Sequence, residues 1–351
     1  MPTFQTGSVE EIIEAREGIQ FLLVRVGIES RRAVLYTRYA APASVGDHVV
    51  LNTTANDLAL GSGGDDFVVW NLAVGSYESP GGGHIMKLRY TPLQSDVLAI
   101  EAPESPHHIA LSRASSLDGM PVIAASLHSQ LLPVVVGLRL VRPETRIAYL
   151  MTDGGALELA LSDSVRRLCE LGWIDCVVTI GHAMGGALEA VNVYSGLLAA
   201  RYADECDVAI VGMGPGVVGT ATPFGTTALE LGQTLNAAGS LGGRPVAAVR
   251  MSSADERARH TGMSHHAFTA LTRVALVKAD VPVPLGYADD LEEIKKLHNV
   301  VEVDAEPVIG ALAGLGASHM GRGPEEDRLF FLAAGAAGLH TGQLLKEGLD
   351  G

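Results

Sequence analysis

The sequence predicts an α/β protein: a three-layer domain with a mainly parallel sheet, preceded by a small β-rich, barrel- or sandwich-like N-terminal domain. Two observations carry that prediction. Before residue 100 the chain consists of short β-patterned runs divided by turn chemistry, and from about residue 120 it alternates strand, glycine loop and helix. Composition agrees, because 47% hydrophobic residues, 41 glycines and only 19% charged residues suit strands covered on both faces. The boundary is set at residues 1–100 and 101–351.

The N-terminal runs are "IQFLLVRV", "RRAVLYTRY", "DHVVLNTT", "DFVVWNL" and "HIMKLRY", separated by "APASVG", "GSGGD" and "ESPGGG". Pro, Gly, Ser and Asn at these breaks supply turn geometry. A docking or dimerisation module is the plainer reading of this part, and homo-oligomerisation is left open.

In the second part four apolar runs read as strands: "RIAYLM" (146–151), "DCVVTI" (175–180), "DVAIVG" (207–212) and "PVAAVR" (245–250). Helix-compatible stretches follow at 157–171, 188–203, 226–239 and 265–279. The alternation implies parallel pairing through crossovers. "GGALE" recurs at 154–158 and 185–189, just after a predicted strand each time, which favours equivalent turns. A strand "NVVEVD" (299–304) and a final helix over 325–348 complete the pattern, with Pro324 and the following acids expected in the helix's first turn.

Charge and cysteine content exclude several classes. A net charge of −15 without a Lys/Arg run opposes nucleic acid as a partner. The three cysteines, Cys169, Cys176 and Cys206, lack CxxC spacing and read as buried thiols of a reducing compartment. The acidic, amphipathic opening stretch lacks the basic and apolar segments of a signal peptide, and no long uninterrupted apolar run predicts a membrane span. A cytoplasmic protein without a membrane partner is expected, and mean hydropathy of +0.24 allows a large core.

In open parallel sheets, ligands bind beyond the carboxyl ends of the strands. Four loops fall there: "TDGGA", "GHAMGGA", "GMGPGVVGTATPFG" and "MSSADERARHTGMS". They supply the candidate catalytic residues Asp153, His182, His260, His265 and His266. The candidate ligand-binding residues are Gly154, Gly155, Gly185 and Gly186 in the first two loops, and Gly214, Gly216, Gly219 and Thr220 in the third. Arg250, Ser253, Asp255, Arg259 and Ser264 belong to the fourth. Arginine suits bidentate capture of an anion, and glycine loops let backbone amides approach one.

The histidines are crowded: three of the chain's 12 fall in "HTGMSHH". Ser264 is placed as an N-cap with Phe268 and Leu271 at helical spacing behind it. His265 and His266 then occupy a first turn whose dipole disfavours the imidazolium, so both lean neutral. Adjacent helical residues point about 100° apart, so this pair should need help from His260, His182 or Asp153 to hold a metal. Metal and cofactor are left unknown.

"GPGVVG" (214–219) formally matches GxGxxG. "TATPFG" follows where a helix should open, and Arg250 stands at the next strand end where a ribose-binding acid would be expected. Walker A, GxSxG and HExxH are absent. The favoured reading is an enzyme acting on a small phosphorylated or carboxylate metabolite. A non-catalytic ligand sensor is the first alternative, and an NADP-linked oxidoreductase the second.

The stretches "TDGGAL", "GHAMGGALEAVNVYSGLLAA", "VGMGPGVVGTATPFG", "RMSSADERARHTGMSHHAFTAL", "LHSQLLP" and "LNTTANDLALGSGGDDFVVWNL" carry a resemblance. Through them the chain resembles a family of uncharacterised bacterial proteins, domain of unknown function family 3866, over almost its whole length. The resemblance implies a bacterial protein and one shared site for these loops. It implies no activity.

Overall fold

The computed structural model describes residues 1–61, 63–79 and 81–350. Contacts divide the chain into Met1–Val97 and Leu98–Gly351.

The first unit is built on a closed barrel of β1 (Phe4–Arg16), β2 (Ile19–Val26), β3 (Glu29–Tyr36), β4 (His48–Asn52) and β5 (Asp66–Asn71), in the order β1-β2-β3-β5-β4. Val9, Leu22, Val24, Leu35, Val49 and Leu51 fill its interior. The acidic opening stretch is itself β1. Its alternation is hidden because the pairing register with β2 shifts between Val9 and Glu11 and again between Ile12 and Glu14. Such bulges bend a strand, and β1 pairs with both β2 and β4, closing the barrel. A short helix α1 (Thr54–Asp57) links β4 to β5, and β6 (Ile85–Lys87) pairs with β7 (Ser95–Val97) as a separate hairpin.

The second unit begins with α2 (His108–Arg113), β8 (Pro121–Ala125), α3 (Leu131–Val141), β9 (Ile147–Thr152), α4 (Asp163–Glu170) and β10 (Cys176–Ile180). There follow β11 (Leu188–Ala190), α5 (Val193–Tyr202), β12 (Val208–Met213), α6 (Glu230–Ser240) and β13 (Arg244–Ala248). After a two-residue ribbon of β14 (Met251–Ser252) and β15 (Gly262–Met263) come α7 (His265–Thr269), β16 (Asp280–Pro284) and α8 (Glu292–Leu297). The chain ends with β17 (Asn299–Val303), α9 (Glu306–Ala311) and α10 (Arg328–Asp350). The sheet runs β11-β10-β9-β12-β8-β13-β16-β17, and every pairing in it is parallel.

Neighbouring residues of one strand enter different layers, as the two-residue period of a strand requires. Ile147, Tyr149 and Met151 pack with α3 and α10, whereas Ala148 and Leu150 pack with Leu197 and Ala199 of α5. The sheet is therefore covered on both faces, giving the three layers expected.

Several expected segments are corrected. The stretch 157–171 breaks into a 3-10 turn and α4, because Ser162 accepts a hydrogen bond from Val165 N and starts the helix there. The stretch 188–203 opens as β11, and Asn192 caps α5 by accepting from Tyr194 N and Ser195 N. The two "GGALE" copies are thus not equivalent turns, since the second runs into a strand. At 226–239 a 3-10 turn (Thr227–Leu229) precedes α6. At 265–279 α7 lasts five residues and passes into a π turn at Ala270–Val274. The last helix starts at Arg328, so Pro324 and the acids after it precede it. Asp327 serves elsewhere, accepting from Ser252 Oγ at 2.7 Å and Ser253 N at 3.2 Å. Cys176 and Cys206 are buried but Cys169 is exposed. No helix among the described residues is long and apolar enough to cross a membrane.

Candidate functional site

The strand order makes β8 the point of reversal. From β8 the chain leaves for β9, β10 and β11 on one side, and later returns to place β13 on the other. Crevices form beyond the strand ends at such a switch. A cavity of about 470 Å³ lies there, lined by Ser126–Ser129 after β8, Pro215–Gly219 after β12, and Arg250, Arg257, Arg259 and His260 after β13. Ser264, His266 and Ala267 at the start of α7 and Ser318–Met320 complete most of the wall.

Local chemistry fixes each wall. Gln130, fully buried, accepts from Ser126 N, Leu127 N and Ser126 Oγ and donates to Ala248 O at 2.8 Å. It thereby ties the β8 loop to the end of β13. His128 lies 3.2 Å from Met213 O through Nδ1, which must be the protonated nitrogen because a carbonyl only accepts. Its Nε2 then accepts from Ser162 Oγ at 2.7 Å. Burial holds this ring near a pKa of about 4, so it stays neutral and joins β8, β12 and α4.

The arginines carry the charge of the cavity. Arg250 is buried and donates to Asp255 Oδ2 at 2.6 Å, and Arg257 binds the same carboxylate at 2.8 and 2.9 Å. The hydrogen bonds from Arg257 hold the Asp255 carboxyl well below the usual carboxylate range, against the upward push of burial. Arg259 is exposed at the cavity and has no ion-pair partner among the described residues. Among the described residues, no aspartate or glutamate lines the cavity.

The histidine cluster sits beside these arginines. Ring centroids lie 5.1 Å apart for His260–His265, 5.2 Å for His260–His266 and 4.0 Å for His265–His266. The adjacent pair therefore converges, contrary to the expectation from helical spacing. The Cα–Cβ bonds diverge, but an imidazole reaches far enough for side-chain torsions to bring the ring tips together. Ser264 Oγ lies 2.8 Å from His260 Nδ1 and accepts from His266 N at 3.3 Å, so the predicted cap both starts α7 and orients two histidines. Burial, followed by the nearby positive charges, brings His260 and His266 to about 4 and lowers His265.

Of the sequence candidates, Gly216, Gly219, Arg250, Arg259, His260, Ser264 and His266 line the cavity, and His265 completes the cluster behind it. Asp255 acts from behind, through the arginines. Ser253 is exposed and gives its N–H to Asp327, outside the lining. Thr220 donates to Gly225 O at 2.9 Å and shapes its own loop. Gly155 and Gly214 allow two backbones to meet: a Cβ on Gly155 would stand 2.3 Å from Gly214 O. Neither lines the cavity.

Asp153 and His182 belong elsewhere. Asp153 Oδ2 accepts from His182 N at 2.9 Å and lines a second cavity of about 280 Å³ with Thr152, Asn192 and Glu230. Asp153 and Glu230 make this second pocket acidic, and Gly154, which abuts Glu230, Gly185 and Gly186 line neither cavity. The four loops make two sites because β9 and β10 lie beyond β12, away from β8 and β13.

Sequence reasoning missed His319, Ser129 and Gln130, whereas Arg257, read from the sequence as part of the polar approach to the histidines, lines the cavity. His319 stacks on Phe330 at 3.9 Å, lies 3.0 Å from Ser129 Oγ through Nδ1, and is held near 4 chiefly by burial. Its "GASHMG" loop carried no local pattern except glycine. No curated relative matches the chain. The family described as "Protein of unknown function (DUF3866)" matches residues 32–338, and the chain belongs to it.

Proposed function

We propose that the protein is an enzyme that binds a small anionic metabolite, phosphorylated or carboxylate, in the cavity at the ends of β8, β12 and β13. One observation carries this reading: in a chain of net charge −15, the described residues line this cavity with three arginines and no carboxylate. Asp255 offsets only part of that charge, and Arg259 is left to meet a ligand. Forked guanidinium donors match phosphate and carboxylate oxygens, and the 470 Å³ volume suits a small metabolite. The neutral imidazoles beside the arginines supply the reactive end, because a neutral ring accepts a proton or ligates a metal near neutral pH.

The test is calorimetric titration of the full chain with inorganic phosphate, pyrophosphate, phosphorylated sugars and dicarboxylates. At least one of these is expected to bind, and Arg259→Ala is expected to weaken it by about ten-fold, the worth of one charged hydrogen bond. Arg259 is exposed and outside the core, so the variant should fold. Absence of saturable binding across these anions at millimolar concentration would overturn the reading.

A further inference from the structure

We propose that His260, His265 and His266 together bind one divalent transition-metal ion of the zinc class, with an open coordination position toward the arginine cavity. One ring nitrogen from each of the three lies within 4.8 Å of the others. Tetrahedral zinc with Zn–N bonds of about 2.0–2.1 Å needs nitrogens about 3.3 Å apart, a separation that small ring rotations supply.

The hydrogen bonds around the rings point the same way. His260 is 1% exposed and His266 7%. The Nδ1 of His260 faces Ser264 Oγ at 2.8 Å and that of His266 faces Thr226 Oγ1 at 3.4 Å. Each hydroxyl oxygen already accepts a backbone N–H, from His266 and Ala228 respectively, and retains a lone pair for a ring N–H. These partners accommodate the tautomer with the proton on Nδ1 and the lone pair on Nε2, the form a metal would take. The Nε2 atoms of His265 and His266 are buried and have no hydrogen-bond partner. Metal-binding histidines are oriented in this way, through the nitrogen that does not touch the metal.

Donor chemistry narrows the ion. The cluster contains imidazole nitrogen and neither carboxylate nor thiolate, which suits zinc, cobalt, nickel or copper rather than magnesium or calcium. Three protein ligands leave one position, as in catalytic zinc sites. His260 and His266 also line the cavity, so that position is available to an oxygen of the bound anion. Arg250 and Arg259 repel a cation at the cluster. An anion bridging the metal and the arginines removes this repulsion, so metal and anion should each tighten the other's binding, by the same factor. This coupling rests on the anion reading above, whereas metal binding by itself does not.

The experiment uses full-length protein stripped with a chelator and titrated with Zn²⁺ near neutral pH against a chromophoric competitor. A parallel titration with Co²⁺ reads coordination from its visible absorption. One equivalent of Zn²⁺ is expected per chain. His265→Asn and His266→Asn should each weaken it by at least about ten-fold and alter the cobalt bands, while His48→Asn in the barrel leaves both unchanged. His265 is only partly buried, so its variant tests the site even where the fully enclosed His260 does not tolerate replacement. Lack of saturable Zn²⁺ binding at micromolar concentration, or binding indifferent to both replacements, overturns the proposal. Phosphate binding to stripped protein that takes up no Zn²⁺ overturns the metal site and leaves the anion reading standing. Zn²⁺ binding without any phosphate response does the reverse.

Discussion

Replacing Asp255 by Asn tests the electrostatic design of the cavity. Asp255 is buried and receives both Arg250 and Arg257, and its side chain is 3% exposed against 8% for Arg250. Asparagine keeps the volume but strands a buried guanidinium. Removing one partner of a buried pair costs about 3–5 kcal/mol, because the remaining charge stays desolvated. In a unit of about 250 residues each kcal/mol lowers the melting temperature by about 2–4 °C, so the variant should melt roughly 6–20 °C below the wild type. Because the folded-state carboxyl lies below its ordinary value, its contribution is complete above about pH 4 and fades only in stronger acid. The stability gap should therefore be flat between about pH 5 and 8. Phosphate should narrow the gap by supplying the missing negative charge, whereas ligand at 100 times its dissociation constant adds only about 2.7 kcal/mol through mass action at constant affinity. Scanning calorimetry with and without phosphate checks both effects. A loss under about 1 kcal/mol, or equal phosphate stabilisation of both proteins, would refute the claim that Arg250 depends on Asp255 and faces the anion.

Two further outcomes probe the sheet and the cluster. Asp280 is brought to about 2, because hydrogen bonds from His340 and Asn299 and the charge of Arg244 outweigh the upward push of its burial. That depression from 3.8 contributes about 2 kcal/mol at neutral pH, and it is lost as pH falls from about 4 through 2. Asp280→Asn should therefore cost about 2 kcal/mol in urea unfolding at pH 7 and distinctly less at pH 3. Gly219→Ala would place a methyl 2.5 Å from His266 Cε1, so the ring or the Gly219 loop must shift and the cluster's geometry is expected to change. Zn²⁺ affinity is expected to fall by about ten-fold with little change in melting temperature, read by competition titration and calorimetry.

The parts of this fold that are legible in sequence are those where one residue pattern has one structural meaning. Ile147–Thr152, Cys176–Ile180 and Val208–Met213 are β-branched or apolar runs bounded by loops, and they form central strands. Pro121–Ala125 is just as central, but "PVIAA" is short and Ala-rich, and a short apolar run fits a buried strand and a helix equally. Asp280–Pro284 hides behind two prolines, which deny hydrogen bonds to a ladder. They are tolerated because the strand pairs with β13 only at Val246–Asp280. The histidine cluster was visible from its density. Its surroundings were not, because Ser129 meets His319 across 190 residues and Gln130 meets Ala248 across 118. Strand order was equally hidden, since strand–helix alternation does not say that β12 separates β9 from β8. Without strand order, the loop pattern alone places Asp153 and His182 with a cavity whose lining does not include them.

Charge and protonation in this cavity support one another. Arg250 and Arg257 share one carboxylate, and Arg259 adds a further positive charge at the rim. A positive field attracts an anion, and the same field opposes a proton on a neighbouring imidazole. His260 therefore loses its proton to burial first and the arginines second, and His266 to burial first, then to His265 and the arginines. Lone pairs on neutral rings remain available at the pH where phosphates and carboxylates are fully charged. A lysine or histidinium in place of either ring would also attract an anion, but it would offer no lone pair. The division of labour between guanidinium and imidazole thus follows from their chemistry: arginine keeps its charge when buried, and histidine gives its charge up.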